Sequence, residues 1–404
     1  FLSAGLAVVM AASLTACGGS GSASTTTAAA GEAKAEGESK AAESSAAADG
    51  ASFKIGGIGP VTGGAAVYGL AVQHGAEIAV KEINEAGGIN GYPVEFQFQD
   101  DEHDAEKSVN AYNTLKDWGM QALMGTVTSA PCIAVADKTA ADNMFQITPS
   151  GSAVECAANP NVYRVCYSDP AQGTASAKYI GEHKLASKVA VIYDSSDVYS
   201  SGIYEKFAQE APNQGIEVVD AEAFTADSNK DFSTQLQKAK ESGAELVFLP
   251  IYYTEASLIL QQANTMGFAP QFFGCDGMDG ILQVQNFDVK LAEGLMLLTP
   301  FAADATDDLT VKFVKSFEDA YGETPIQFAA DAYDAMYVIK AAMEEANVTP
   351  DMAVGDICDA MEGAMTKIKV DGLTGTNMTW TEDGEPEKDP KAVQVVDGAY
   401  KAME

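Results

Sequence analysis

From Phe53 onward, short apolar runs alternate with stretches of helical spacing, and this alternation leaves few folds open to the chain. In the first half, strand-like runs at 53–59, 94–101, 122–125 and 145–150 are separated by helical patterns around 74–86, over 105–118 and after Pro131. The second half repeats the theme, with strands at 162–167, 188–193, 216–224, 245–251 and 271–276, and helices from Ala171, over 203–214, from Asp231 and over 255–266. Such alternation builds βαβ units with mostly parallel sheets. Two series in about 230 residues predict an α/β protein of two doubly wound lobes. Open α/β sheets bind ligands beyond the carboxyl ends of their strands, so a cleft between the lobes is the expected ligand site.

Composition narrows the partners. The 404 residues are 47% hydrophobic, enough for more than one core, and 24 Lys+Arg against 58 Asp+Glu give a net charge of -34. That sign opposes binding to nucleic-acid phosphates or anionic lipid headgroups, so no nucleic-acid partner is expected. The sequence contains no G-x-S-x-G, no GK[ST], no H-E-x-x-H and no C-x-x-C. Its three histidines, His74, His103 and His183, are isolated from one another. The run Glu102-His103-Asp104 contains metal-ligating types but reads as an acidic loop after a strand, and Gly56-Gly57-x-Gly59 lacks dinucleotide-binding spacing, so neither metal nor cofactor is expected. A secreted α/β hydrolase would need a nucleophile beside a histidine; His183, the only one in the second half, falls in the turn 181–188.

What remains are loops at strand ends that open helices. The stretch from Gly125 to Pro131 follows one strand, with Pro131 suited to a first helical turn, and Thr148-Pro149-Ser150-Gly151-Ser152 follows another. Hydroxyls and free backbone N–H groups at a helix N-terminus can hold a carboxylate. Asp276 ends the strand at 271–276, where an acid can neutralise an ammonium. An anion site opposed to a carboxylate is what an α-amino acid zwitterion requires; the same pattern also arises from helix-capping Ser129 and Ser152 with a solvated Asp276.

Residues 1–16 are apolar and small, too short for a membrane helix, which needs about 20 apolar residues, and have the length of a secretory signal core. The basic region that precedes such a core is not in this sequence, which opens on Phe1. Leu14-Thr15-Ala16-Cys17 resembles the lipobox of bacterial lipoproteins, which implies a lipidated Cys17 and an extracytoplasmic chain anchored to the cell membrane. Residues 17–50 then read as that anchor and a flexible linker of Gly, Ala, Ser, Thr, Glu and Lys, with an r.m.s. reach of roughly 30 Å. Export permits disulfides. Beyond Cys17 stand Cys132, Cys156, Cys166, Cys275 and Cys358, an odd number, so one thiol stays free unless it pairs with another chain.

Ordered stretches across 52–404 closely resemble the leucine/isoleucine/valine-binding proteins of ABC transporters: Ile58-Gly59-Pro60-Val61-Thr62-Gly63 through Tyr68-Gly69, Gly75 to Val80, Ile83 to Gly91, Asp100-Asp101 with Asp104, Tyr163-Arg164 to Gln172-Gly173, Asp231-Phe232-Ser233, and Tyr252-Tyr253-Thr254-Glu255. The resemblance implies a type I periplasmic-binding fold, two three-layer α/β lobes joined by a three-crossing hinge that close on a small solute and pass it to a membrane permease. It implies lobe one at 51–169 and 300–373, and lobe two at 170–299 and 374–404. By position, Ser129, Gly151 and Ser152 would take the ligand carboxylate and Asp276 the ammonium, where relatives often carry Glu. Tyr68, Tyr199, Tyr252 and Phe328 would line the pocket. Solute would meet Ser129 and Ser152 in an open form, and Tyr199, Tyr252 and Asp276 would complete the cage. The disulfide some relatives place between two of these loops is ruled out by His103 and Thr128, and pairing of Cys156 with Cys166 stays open. No enzymatic activity is implied. Short amides, urea or aromatic acids remain alternative solutes.

Overall fold

The computed structural model describes residues 50–388 and 390–403; the signal core, Cys17 and nearly all of the linker lie outside the described residues. Strands β1 (Phe53–Gly59), β2 (Val94–Asp100), β3 (Ala122–Gly125), β4 (Gln146–Thr148) and β5 (Val162–Arg164) form a five-stranded sheet of order β2-β1-β3-β4-β5. Every pairing in it is parallel. Helices α1 (Ala66–Glu85), α2 (Ala105–Trp118) and α3 (Ser129–Asp142) connect its first four strands. Asp104 caps α2 by accepting from the N–H groups of Glu106 and Lys107, and Gly119, at φ 93°, ends it in the left-handed conformation.

The second sheet begins after α4 (Asp169–Glu182). It takes β6 (Lys188–Asp194), α5 (Val198–Glu210), β7 (Glu217–Phe224), α6 (Ser233–Glu241), β8 (Leu246–Leu249), α7 (Tyr253–Thr265), β9 (Gln271–Gly274) and β10 (Met296–Thr299). The chain then returns to the first sheet as α8 (Asp308–Tyr321), α9 (Gln327–Glu345) and α10 (Val354–Met365), followed by a hairpin of β11 (Thr379–Trp380) and β12 (Pro386–Glu387). It ends on β13 (Lys391–Val396) and β14 (Ala399–Ala402), which join the second sheet antiparallel to give the order β14-β13-β10-β9-β8-β6-β7. The segment between the lobes is thus crossed three times, after β5, β10 and β12.

Within both sheets the parallel strands wind the same way: β2-β1-β3-β4-β5 and β7-β6-β8-β9-β10 share one order, with switch points between β1 and β3 and between β6 and β8. Crevices at such points are where open α/β sheets bind ligands. The loops leaving β3, β4, β6, β8 and β9 therefore carry the candidate site.

Packing explains several departures from the sequence expectations. The first helix is longer than 74–86 because Gly69 and Gly75 are contact points and not breakers: a Cβ at Gly69 would lie 1.9 Å from the Pro60 carbonyl oxygen, and one at Gly75 2.1 Å from that of Ala329 on α9. The glycines of β1 likewise make room, a Cβ at Gly57 falling 2.4 Å from the Phe98 ring. Residues 374–388 stay with the first lobe, not the second. Gly384 O accepts from Arg164 N at 3.0 Å, Trp380 Nε1 donates to Arg164 O at 2.8 Å, and Lys388 Nζ lies 3.7 Å from Asp331 of α9. The last crossing accordingly falls between Lys388 and Lys391.

Candidate functional site

On the first lobe, β3 delivers Thr128 and Ser129 to the start of α3, and β4 delivers Ser150 and Ser152. Ser129 is buried, and its Oγ accepts from the N–H groups of Ser152 at 3.3 Å and Ala153 at 3.2 Å. A hydroxyl has two acceptor sites and one proton. With both acceptor sites used, the Ser129 proton is left to donate, and Ser129 lines the cavity. Thr148 Oγ1 donates to Thr126 O at 2.6 Å and Ser150 Oγ to Val127 O at 2.7 Å, which locks the two loops together.

Behind this layer lies a residue the sequence reading missed. Arg164 is the chain's only arginine among 24 Lys+Arg, and it is completely buried. Its Nη1 donates to Gly151 O (3.3 Å) and Ser152 O (2.6 Å), its Nη2 to Ala153 O (3.0 Å) and Val154 O (3.3 Å), and its Nε lies 3.2 Å from Glu385 Oε1. Four carbonyls drawn to one side turn the Ser152 and Ala153 N–H groups to the other, toward Ser129. Its being the sole arginine was the available signal, since a planar fork does what an ammonium cannot.

From the second lobe, Tyr199 enters in the first turn of α5, Tyr252 stands at the N-terminus of α7, and Asp276 opens a 3-10 turn (Asp276–Met278) after β9. Asp276 is buried. Tyr199 Oη donates to its Oδ1 at 2.7 Å and Gln172 Nε2 to its Oδ2 at 2.8 Å, while Gly277 N donates back to Tyr199 Oη at 2.9 Å. Burial pushes the Asp276 carboxyl up to about 6, against these hydrogen bonds, which lower it. Tyr252 stacks on Tyr199 at 4.9 Å. Asp169, buried beside Ser152, is pushed well above the usual carboxylate range by desolvation.

The cavity between these groups is lined by Tyr68, Val127, Thr128, Ser129, Ser150, Ser152, Tyr199, Tyr252, Asp276, Gly277 and Phe328. Seven of the eight residues expected from the sequence are there; Gly151 is not. Its N–H donates to Thr148 Oγ1 at 2.7 Å and its carbonyl goes to Arg164, so Ser150 reaches the cavity in its place. In this structure the cleft is shut. Tyr68 Oη donates to Gly277 O and accepts from Tyr253 N at 3.2 Å, Val67 N donates to Tyr253 Oη at 3.3 Å, and Thr254 Oγ1 to Gly64 O at 3.0 Å. Tyr68 and Phe328 pack at 4.3 Å. The space left is about 10 Å³, room for roughly one water. A solute therefore enters only when the lobes part and these tyrosines shift.

The acidic loop at 102–104 is occupied by local partners. Glu102 pairs with Lys107 at 2.6 Å, Asp104 caps α2, and His103 Nδ1 lies 2.8 Å from Thr128 Oγ1. The two positions that rule out a disulfide thus share a hydrogen bond between the same loops. All five cysteines among the described residues are buried thiols; Cys156 packs against Cys132 and Ala153.

Two doubly wound lobes that meet over a cavity lined from both sides have the architecture of a bilobal solute-binding protein. A family model described as periplasmic binding protein matches residues 52–399. A Leu/Ile/Val-binding protein homolog of Brucella melitensis is 32% identical over 305 residues, 75% of this chain and 82% of the relative. A leucine-, isoleucine-, valine-, threonine- and alanine-binding protein of Pseudomonas aeruginosa is 30% identical over 297 residues, 73% of this chain and 79% of the relative. Among solved structures, the branched-chain amino acid transporter substrate binding protein LivJ of Streptococcus pneumoniae, in complex with isoleucine, superposes with TM-score 0.78 at 26% identity, covering 87% of this chain and 99% of that one. The chain belongs to the periplasmic binding protein family.

Proposed function

We propose that this protein captures an α-amino acid, of branched-chain type, between its lobes and delivers it to an ABC permease. The observation that carries the reading is the opposition of a Ser129 hydroxyl whose only free role is donation to a buried Asp276 carboxylate across one cavity. Ser129, Ser152 and the neighbouring N–H groups take the solute carboxylate. Asp276 takes the ammonium, since each of its oxygens already accepts one hydrogen bond and has room for another. Tyr68, Tyr199, Tyr252 and Phe328 enclose the side chain. Relatives named as leucine-, isoleucine- and valine-binding proteins support the branched-chain assignment.

An aromatic acid would leave Asp276 buried without a counter-charge, which disfavours that class. The hydrolase reading loses its base: His183 stacks on Tyr179 at the far end of α4, roughly 20 Å along the axis from Asp169 at 1.5 Å per residue. In our reading the chain works outside the cytoplasm, tethered through a lipidated Cys17 and its linker. The family match supports an extracytoplasmic setting; the anchor rests on the 14–17 motif.

The test is a melting-temperature panel of the twenty amino acids, short amides and benzoate. An amino acid at about 100 times its Kd adds about 2.7 kcal/mol of stability. Stabilisation by leucine, isoleucine or valine supports the assignment. A panel in which only benzoate or amides stabilise overturns it.

A further inference from the structure

The turn that presents Asp276 to the cleft has a second acid on its other side. Asp279, immediately after that turn, lines a separate pocket of about 380 Å³ formed where β10, β13 and β14 meet the C-terminal half of α8 and the start of α9. Its size falls in the range of small-molecule sites. Asp279 is 5% exposed; its Oδ2 accepts from Gln327 N at 2.8 Å, at the N-terminus of the 19-residue α9, while its Oδ1 has no hydrogen-bond partner. The Tyr400 hydroxyl and the Gly280 N–H face Asp279 and favour its charged form, against desolvation, while burial and then the Asp279 charge push the Tyr400 phenol up. Most of the remaining wall is apolar, including Leu282, Phe301, Ile326 and Val393. The rim carries Asp304, Glu318 and Glu323 against one cation, Lys401, which lies 3.8 Å from Asp304.

A buried carboxylate held by neutral donors, with no cation acting on it, is costly. Desolvation accordingly raises Asp279 to about 6, which leaves it ionised at neutral pH. No cluster of three metal-ligating side chains occurs among the described residues, so a metal ion is not the indicated partner. We propose that this pocket is a second binding site, for a small organic ammonium with an apolar body, its N–H groups on Asp279 Oδ1 and its hydrocarbon against Phe301, Ile326 and Val393. The site stands apart from the amino-acid cleft, and the proposal does not depend on that assignment.

Calorimetric titration of the full chain at pH 7.5 with hexylammonium, and with 1-hexanol as its neutral counterpart, tests it. Saturable one-to-one binding of the amine, with the alcohol weaker by about thirtyfold or more, is expected from the charge pairing. Asp279→Asn keeps an acceptor for Gln327 N and should weaken the amine by a similar factor. Should that variant fold poorly, Ala303→Trp fills the pocket from its rim without touching Asp279 and should abolish amine binding. Amine binding that survives these substitutions, or no binding of the amine to the parent chain, overturns the proposal.

Discussion

Replacing the sole arginine by lysine isolates what the guanidinium plane contributes. Arg164→Lys leaves the net charge unchanged, so long-range electrostatics stay as they are. The side chain now serves four carbonyls at 2.6–3.3 Å and a carboxylate at 3.2 Å from three separate nitrogens. A lysine ammonium gathers its three protons on one nitrogen, so at least two of these five acceptors lose their partner. Each buried acceptor left unmade costs about 1–3 kcal/mol, hence about 2–6 kcal/mol for the pair. A domain's whole stability is about 5–15 kcal/mol. Urea unfolding followed by tryptophan fluorescence suits the case, because Trp380 Nε1 donates to the Arg164 carbonyl and reports on this spot. Solute affinity should fall as well, since the loop whose N–H groups meet Ser129 is no longer drawn to one side. A lysine variant within about 1 kcal/mol of the parent, with unchanged affinity, would refute the idea that a planar fork orders the loop.

Asp276→Asn should weaken an amino-acid ligand by about 2–5 kcal/mol, measured by calorimetry, because an ammonium would be buried without its counter-charge; parent-like affinity sinks the ammonium assignment. The same affinity should decline in the parent as pH drops below about 6, where the Asp276 carboxyl takes up a proton. Stability has its own pH dependence. Asp101 is raised to about 7 and Asp197, Asp276 and Asp279 to about 6, all above their unfolded values, so the folded chain holds protons more tightly and stability falls as pH rises from about 4 through 7. A scanning-calorimetry Tm higher at pH 8 than at pH 5 would contradict this. Lys388→Met removes a buried cation beside Asp331 that also donates to Thr374 Oγ1 at 2.9 Å, at a cost of about 3–5 kcal/mol. Adding Asp331→Leu should recover much of that loss in denaturant unfolding; a double variant as unstable as the single would mean the pair is not the cause.

How much of this was legible in the sequence varies with the kind of signal. Both lobes were, because parallel strands buried on both faces read as short apolar runs and each helix between them keeps its spacing. Residues 391–402 went unread, although Asp397-Gly398, at φ 53° and 75°, is a hairpin turn of the D-G kind joining two strands. The lining was largely recoverable by position, since strand-end loops are short. Gly151 was off by one residue because nothing local says which of Ser150, Gly151 and Ser152 faces inward; that is decided by Arg164, which meets them only in the folded chain. Likewise, composition cannot tell that His103 and Thr128 share a hydrogen bond, since they lie on different loops.

The division of labour across the cleft bears on how a chain of charge -34 can hold a carboxylate at all. On our assignment lobe one contributes hydroxyl and N–H donors without a cation lining the cavity, lobe two contributes the buried Asp276 at the cavity, and Asp169 sits behind Ser152 where the chain first crosses between the lobes. A ligand stabilises closure only by what it gains in the closed form over the open one. A zwitterion gains at both lobes together, for its ammonium offsets the desolvated Asp276 while its carboxylate meets donors only. A simple anion gains on lobe one and brings a like charge toward Asp276 as the lobes meet. A simple cation gains on lobe two and leaves the Ser129 proton without an acceptor. Selection for a solute with both ends would then come from closure itself, and it requires no positive residue in the site.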